Sequence, residues 1–95
     1  MAGKYDSGQI QQALGGLPGW SADGESALTR TFKFKDHIDA MGFVTKVALA
    51  AEAMNHHPDL RIVYNTVDIR LSSHDAGGVT DRDVRLAEKI SSFSA

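Results

Sequence analysis

The spacing of apolar residues switches several times between a helical period and a period of two, and each switch marks an element. Asp6-Ser7-Gly8-Gln9 reads as a capping box, with Asp6 as N-cap, Gln9 at the third helical position, and Tyr5 and Ile10 placed for a hydrophobic staple. Ile10, Ala13 and Leu14 share one face of the helix that follows, Gly15-Gly16 supplies a stop and Pro18 forbids continuation. Gly19-Trp20-Ser21 is a candidate short strand and Asp23-Gly24 a turn. From Ala27 to Lys35 the pattern alternates. Leu28, Arg30, Phe32 and Phe34 point one way and Thr29, Thr31, Lys33 and Lys35 the other, which predicts a half-buried strand with Arg30 as the exception on its apolar side.

Asp36 caps a long helix running to about Asn55. Ala40, Phe43, Val47, Ala50 and Met54, joined by Val44 and Ala51, give it a wide core face. Ile38, Met41 and Leu49 are apolar outside that face and predict a second contact surface, while Gly42 weakens the helix interior by about 1 kcal/mol relative to Ala. Pro58 blocks continuation. Arg61 to Tyr64 and Thr66 to Ser72 read as two strands around a tight connection at Asn65, with Val67, Ile69 and Leu71 on one side and Thr66, Asp68, Arg70 and Ser72 on the other. After a glycine-containing loop from His74 to Gly78, Thr80 caps the last helix, with Asp83 at its third position, a Val79–Val84 staple and an apolar face including Val84, Ala87 and Ile90. The predicted order is α-β-β-α-β-β-α. It packs most simply as a two-layer α+β domain, a four-stranded antiparallel sheet with helices on one face.

Composition narrows the function classes. A chain of 95 residues is expected to form one domain over residues 1–95. At that length roughly 60–70% of the unfolded surface is buried, enough for one modest core. Hydrophobic residues at 42% and charged residues at 23% fit an ordinary globular protein, and the absence of cysteine excludes disulfides and thiolate chemistry. The net charge of −2 argues against a nucleic-acid partner. No secretion signal opens the chain, and no apolar run approaches the roughly 20 residues that a membrane helix needs. The expectation is an intracellular protein with no membrane partner.

Three of the four histidines, His56, His57 and His74, fall at the end of the long helix and in the later loop. Glu52 stands four residues before His56, one helical turn away and within reach of its imidazole. Taken singly, these residues have plainer explanations. A histidine at a helix C-terminus is favourable by about 0.3–1 kcal/mol. Asp83 completes a cap, Glu52 suits a solvated helix face, Tyr64 suits a core, and His37 and Gly77-Gly78 suit exposed surface and loop geometry. Two or three histidines with a carboxylate can bind zinc. Adjacent residues on a helix, however, diverge by about 100°, so His56 and His57 would reach one ion only if the helix unwound.

The ensemble is more specific than its parts. Glu52-Ala53-Met54-Asn55-His56-His57-Pro58, followed at matching gaps by Tyr64, His74 and Asp83, resembles the signature of the pterin-4a-carbinolamine dehydratases. Supporting matches are Gly16-Leu17-Pro18-Gly19-Trp20, Thr31-Phe32-Lys33-Phe34-Lys35-Asp36, Tyr64-Asn65 and Ser73-His74-Asp75-Ala76-Gly77-Gly78, so the similarity covers nearly the whole chain. Leu60 stands where many members carry Trp, and His37 where many carry Phe.

The resemblance implies a cytoplasmic lyase that eliminates water from a 4a-hydroxytetrahydropterin to give a quinonoid dihydropterin. Such an enzyme recycles the cofactor of a pterin-dependent aromatic amino-acid hydroxylase and needs neither cofactor nor metal itself. It also implies roles: His56 and His74 as acid and base, and His57 holding substrate with Glu52 and Tyr64 as further contacts. Asp83 would orient or polarise a histidine or bind the pterin. It implies a homodimer or homotetramer built with sheet edges and the long helix. The chemistry suits these residues, because elimination must protonate a departing hydroxyl and remove the proton on ring nitrogen 5. Histidine, with a reference pKa of about 6.5, does either near neutrality. The three imidazoles are then expected to open onto one cleft, with neither His56 nor His74 serving as core packing. Animal relatives also bind a homeodomain transcription factor. A non-enzymatic interaction module and a pterin-binding protein without turnover are therefore the competing classes.

Overall fold

The computed structural model describes residues 3–94, so residues 1, 2 and 95 of the expected domain lie outside the description. Its elements are α1 (Ser7–Leu14), β1 (Ser21–Asp23), β2 (Ala27–Lys33), α2 (His37–Met54), β3 (Asp59–Val63), β4 (Thr66–Leu71), a 3-10 turn (His74–Ala76) and α3 (Asp81–Ser92). This is the predicted α-β-β-α-β-β-α order. Helix starts fall where capping chemistry puts them: Asp6 and Gln9 form a reciprocal capping box on α1, Asp36 accepts from the Asp39 amide on α2, and Thr80 and Asp83 form a second box on α3.

The four strands pair antiparallel in the order β1-β2-β4-β3. β2 and β4 meet in the centre, with Leu28 opposite Leu71 and Phe32 opposite Val67. The two-residue period sends Leu28, Phe32, Val67, Ile69 and Leu71 into a core shared with Ala40, Phe43, Val47, Leu86 and Ile90 of the helices. The opposite face is polar and self-paired: Thr31 Oγ1 donates to Asp68 at 2.6 Å, Arg61 approaches Asp68 at 3.5 Å and Arg70 bridges Asp23 at 2.8 Å. The helices therefore cover one face only, as an antiparallel sheet permits.

Several boundaries differ from the sequence expectation. The first strand begins at Ser21 rather than Gly19, β2 ends at Lys33 rather than Lys35, and β3 begins at Asp59 rather than Arg61 because Asp59 still pairs with Arg70. Arg30 occupies the apolar register by stacking over Phe32, 4.2 Å from the ring centroid, while donating to the Pro18 carbonyl at 3.1 Å. Gly19 makes room for it: φ is +88° there, and a Cβ would lie 2.9 Å from the guanidinium. On the other flank of α2, Ile38 and Leu49 are 79% and 67% exposed, so the second apolar stripe is uncovered in this chain.

Candidate active site

The site begins where α2 ends. Asn55 takes the left-handed conformation (φ 50°, ψ 44°), and the Asn55 and His56 amides turn back to the Glu52 and Ala51 carbonyls at 3.0 Å each. The chain unwinds here, three residues before Pro58. The unwinding separates two adjacent histidines: His56 turns inward and is 8% exposed, while His57 stays at the surface.

Inside, the His56 Nε2 donates to Asp83 Oδ1 at 2.6 Å. Asp83 is fully buried at the third position of α3. Its other oxygen, Oδ2, accepts from the Thr80 amide at 2.9 Å and the Ser73 hydroxyl at 2.8 Å. A buried carboxylate is tolerated when its lone pairs are filled in this way. The capping box seen in the sequence is therefore also the seat of the buried pair. Since Asp83 accepts, the network assigns the imidazole proton to Nε2 and leaves Nδ1 unprotonated, with no hydrogen-bond partner among the described residues.

Outside, the His57 Nε2 lies 2.7 Å from Glu52 Oε1. This corrects the expected Glu52–His56 contact: the i,i+4 relation holds only along a continuous helix, and Asn55 breaks it. His56 is also more deeply enclosed than expected, so its removal would leave a buried carboxylate short of a partner. His74 follows the inward-facing Ser73 and is exposed as the first residue of the 3-10 turn. The next residue, Asp75, is bound by Arg82 at 2.7 Å. That hydrogen bond holds the Asp75 carboxyl below its ordinary range and raises Arg82.

Tyr64 lies elsewhere. It sits at the tip of the β3–β4 hairpin, 62% exposed and left-handed (φ 52°), and its carbonyl accepts from His37 Nδ1 at 2.7 Å. His37 opens α2 and His56 follows its end. An 18-residue helix, about 27 Å long at 1.5 Å per residue, therefore separates Tyr64 from His56 and His57 of its own chain. The cause is topological, since β3 starts beside His57 and runs the length of the sheet before turning.

Ser73 and Thr80 belong to the buried cluster but are not among the candidate site residues of the sequence. A signal exists for Ser73: Val67, Ile69, Leu71 and Ser73 share one register, so a hydroxyl stands where the alternation calls for an apolar side chain. Two concavities lie away from the cluster. One of about 510 Å³ lies against the sheet, lined by Thr29, Thr31, Leu60, Asp68 and Arg70 among others, and one of about 680 Å³ runs between β2, α2 and Phe93. His56, His57 and His74 line neither, so the expected common cleft is not among them. What unites this end of the molecule is the set of hydrogen bonds around Asp83. Among the described residues no three His, Asp or Glu side chains gather to hold a metal ion.

The arrangement fits proton transfer: an imidazole oriented by a buried carboxylate, with two further imidazoles on flanking segments. Comparison with known proteins points the same way. The family model described as pterin 4 alpha carbinolamine dehydratase matches residues 3–93. A protein of Afipia carboxidovorans assigned by name to the pterin-4-alpha-carbinolamine dehydratases is 56% identical over 84 residues, covering 87% of this chain and 84% of its own. One from Nitrobacter winogradskyi with the same assignment is 48% identical over 95 residues, covering 99% and 94%. The crystal structure of a transcriptional coactivator/pterin dehydratase from Brucella melitensis superposes with a TM-score of 0.93 at 40% identity, covering 97% of this chain and 99% of that one.

Proposed function

The chain belongs to the pterin 4 alpha carbinolamine dehydratase family, and from that premise we propose that it dehydrates a 4a-hydroxytetrahydropterin by histidine general acid–base catalysis. Family membership supplies the reaction class, and the observation that carries the mechanism is the buried His56–Asp83 pair at 2.6 Å. In the reaction the bond from carbon 4a to its hydroxyl breaks and the hydroxyl leaves as water with a proton from an acid. A base removes the proton on ring nitrogen 5, and the electron pair left there forms the new double bond of the quinonoid dihydropterin. His56, acting through Nδ1, and His74 are the acid–base pair. Asp83 keeps the other His56 nitrogen protonated. His57, held by Glu52, contacts the ring. The elimination calls on the protein only for proton transfers and involves no redox change, so no cofactor or metal takes part.

Turnover of chemically generated 4a-hydroxytetrahydropterin tests this reading. His56→Gln retains a side-chain N–H for Asp83 but cannot shuttle protons. It and His74→Ala should each slow dehydration, by up to the 10²–10⁴-fold typical of such groups, and the double variant should sit near background. A folded double variant with wild-type turnover would falsify the assignment. Dialysis against a strong chelator should leave turnover intact, and loss restored by zinc would overturn the metal-free mechanism.

We further propose a homodimer or homotetramer acting beside a cytoplasmic pterin-dependent hydroxylase. Two surfaces support assembly: the α2 stripe of Ile38, Met41 and Leu49, and the edge strand β3, whose Ile62 and Val63 are exposed. Two-fold antiparallel pairing of β3 with the β3 of a second copy would set the hairpin tip of one copy beside Pro58-Asp59 of the other. Tyr64 would then reach the substrate of a neighbouring chain, which its own fold denies it. Light scattering should show more than a monomer at micromolar concentration. Mixing Tyr64→Ala with His56→Gln chains should recover turnover that neither has alone, and no recovery would remove Tyr64 from the site.

The α2 stripe also favours a second reading, a protein-interaction module. Binding of a helical partner undisturbed by loss of the histidines, with no turnover in the wild type, would decide for it.

A further inference from the structure

Ser73 is 1% exposed and sits in the core register of β4, where a hydroxyl is costly unless fully bonded. Its backbone is already engaged: the amide donates to the Gly78 carbonyl, and its carbonyl receives the Ala76, Gly77 and Gly78 amides. The hydroxyl is therefore free for side chains. It lies 2.8 Å from Asp83 Oδ2 and 2.7 Å from Thr80 Oγ1. Thr80 Oγ1 also accepts the Arg82 amide at 3.3 Å.

A hydroxyl has one proton, so the bonds can be ordered. Asp83 accepts on both oxygens; the Ser73 proton therefore goes to Oδ2, and the Thr80 hydroxyl must donate to Ser73 Oγ. With the Thr80 amide also on Oδ2, that oxygen is occupied twice, and Oδ1 is left to face His56 alone. We propose that Ser73 is a positioning residue for the reaction: its hydroxyl orients the Asp83 carboxylate so that His56 holds its proton on Nε2 and offers Nδ1 to the substrate. Ser73 is also the residue before His74, and its carbonyl gathers the amides of the turn that carries His74. One residue thus sets the orientation of one proposed acid–base group and the backbone anchor of the other. The proposal rests on the dehydratase reading for its catalytic consequence. Its structural content, the His56 tautomer, does not.

The test compares Ser73→Ala, which removes the hydroxyl, with Ser73→Thr, which keeps it. Nitrogen-15 shifts of the His56 ring report the tautomer directly, without substrate. The wild type and Ser73→Thr should show a protonated Nε2 and an unprotonated Nδ1. Ser73→Ala should show mixed tautomers, and its kcat should fall about 10–100-fold, the scale on which metal-bound histidines respond to loss of a hydrogen-bonding partner, with KM little changed. A Ser73→Ala protein with the wild-type His56 pattern would overturn the proposal, whatever its kcat, and so would mixed tautomers with wild-type kcat. If the wild type fails to turn over substrate at all, the dehydratase reading fails, while the nitrogen shifts still decide whether Ser73 sets the tautomer. Should Ser73→Ala not fold, Ser73→Cys removes the strong donor at near-constant volume and carries the same comparison.

Discussion

Each end of α2 brings together a histidine and a non-glycine residue in the left-handed region, yet the two ends are held by different physics. At the N-terminal end His37 is exposed and donates to the Tyr64 carbonyl, and Asn65 Nδ2 donates to the Phe34 carbonyl at 2.8 Å. These are side chains tying down backbone at exposed and half-buried positions, where water can compete for the bonds. At the C-terminal end His56 is buried and its partner is a carboxylate with no exposure. Water cannot replace a lost partner there, so each member depends on the others. The same residue type serves as an exposed clasp at one end and as half of a buried, oriented pair at the other, and burial makes the difference.

The largest expected effect is at Asp83. Asp83→Ala leaves His56 Nε2, the Ser73 hydroxyl and the Thr80 amide without their acceptor. Breaking a buried pair from one side costs about 3–5 kcal/mol. Asp83→Asn keeps the shape but brings a donor to a site built from donors, so turnover should fall more than stability. The matching change at the other end, His37→Ala, removes one exposed hydrogen bond. It should cost about 0.5–1.5 kcal/mol and slow turnover far less than either Asp83 variant. Urea unfolding and single-turnover rates on the three variants measure the contrast. Equal destabilisation by Asp83→Ala and His37→Ala would erase it.

Left-handed Asn55, and Asn65 beside left-handed Tyr64, give a smaller effect. A side chain branched at Cβ is strained there, so Asn55→Val should cost about 1–2 kcal/mol while Asn55→Gly should be near neutral. Asn55 sets the directions in which His56 and His57 leave the helix, so Asn55→Val should also slow turnover. At the tip, Asn65→Ala should cost about 1 kcal/mol with turnover unchanged. If turnover tracks stability equally at both positions, Asn55 is merely a cap.

Much of this is legible in the sequence because much of it is local. The capping pairs Asp6–Gln9 and Thr80–Asp83 depend on three-residue spacing, and the alternation of Val67, Ile69 and Leu71 carries the register of β4 wherever its partners lie. The end of β3 is less legible, since Asp59 is a strand residue only through Arg70, eleven positions away. The candidate site divides in the same way. Asp83 is visible as a cap, but its partnership with His56 spans 27 positions and depends on a left-handed Asn55 that no periodicity announces. The pairing of Glu52 with His57 follows from that break. Tyr64 looks close to His57 along the chain and is far in space, because β3 carries it away.

The smallest expected effect concerns the loop that carries His74. Asp75 and Arg82 are joined across the turn at 2.7 Å, both with solvent access. The hydrogen bond from Arg82 places the folded Asp75 below its ordinary value. The bond's contribution is therefore complete above the ordinary carboxylate range of about 4. It is lost only as the pH falls from there through the lowered folded value. Because the pair is exposed, Asp75→Asn should leave the global unfolding midpoint unchanged, since surface pairs are weak and screened. The effect should instead be local: faster amide exchange at Ala76, Gly77 and Gly78, whose amides the turn holds, and a drop in turnover smaller than for the Asp83 variants or Asn55→Val. At 1 M salt, where the screening length is about 3 Å, wild type and variant should converge, and they should converge again in acid below the carboxylate range. Exchange rates that differ equally at low pH and at neutrality would show that the Asp75–Arg82 bond does not hold the turn.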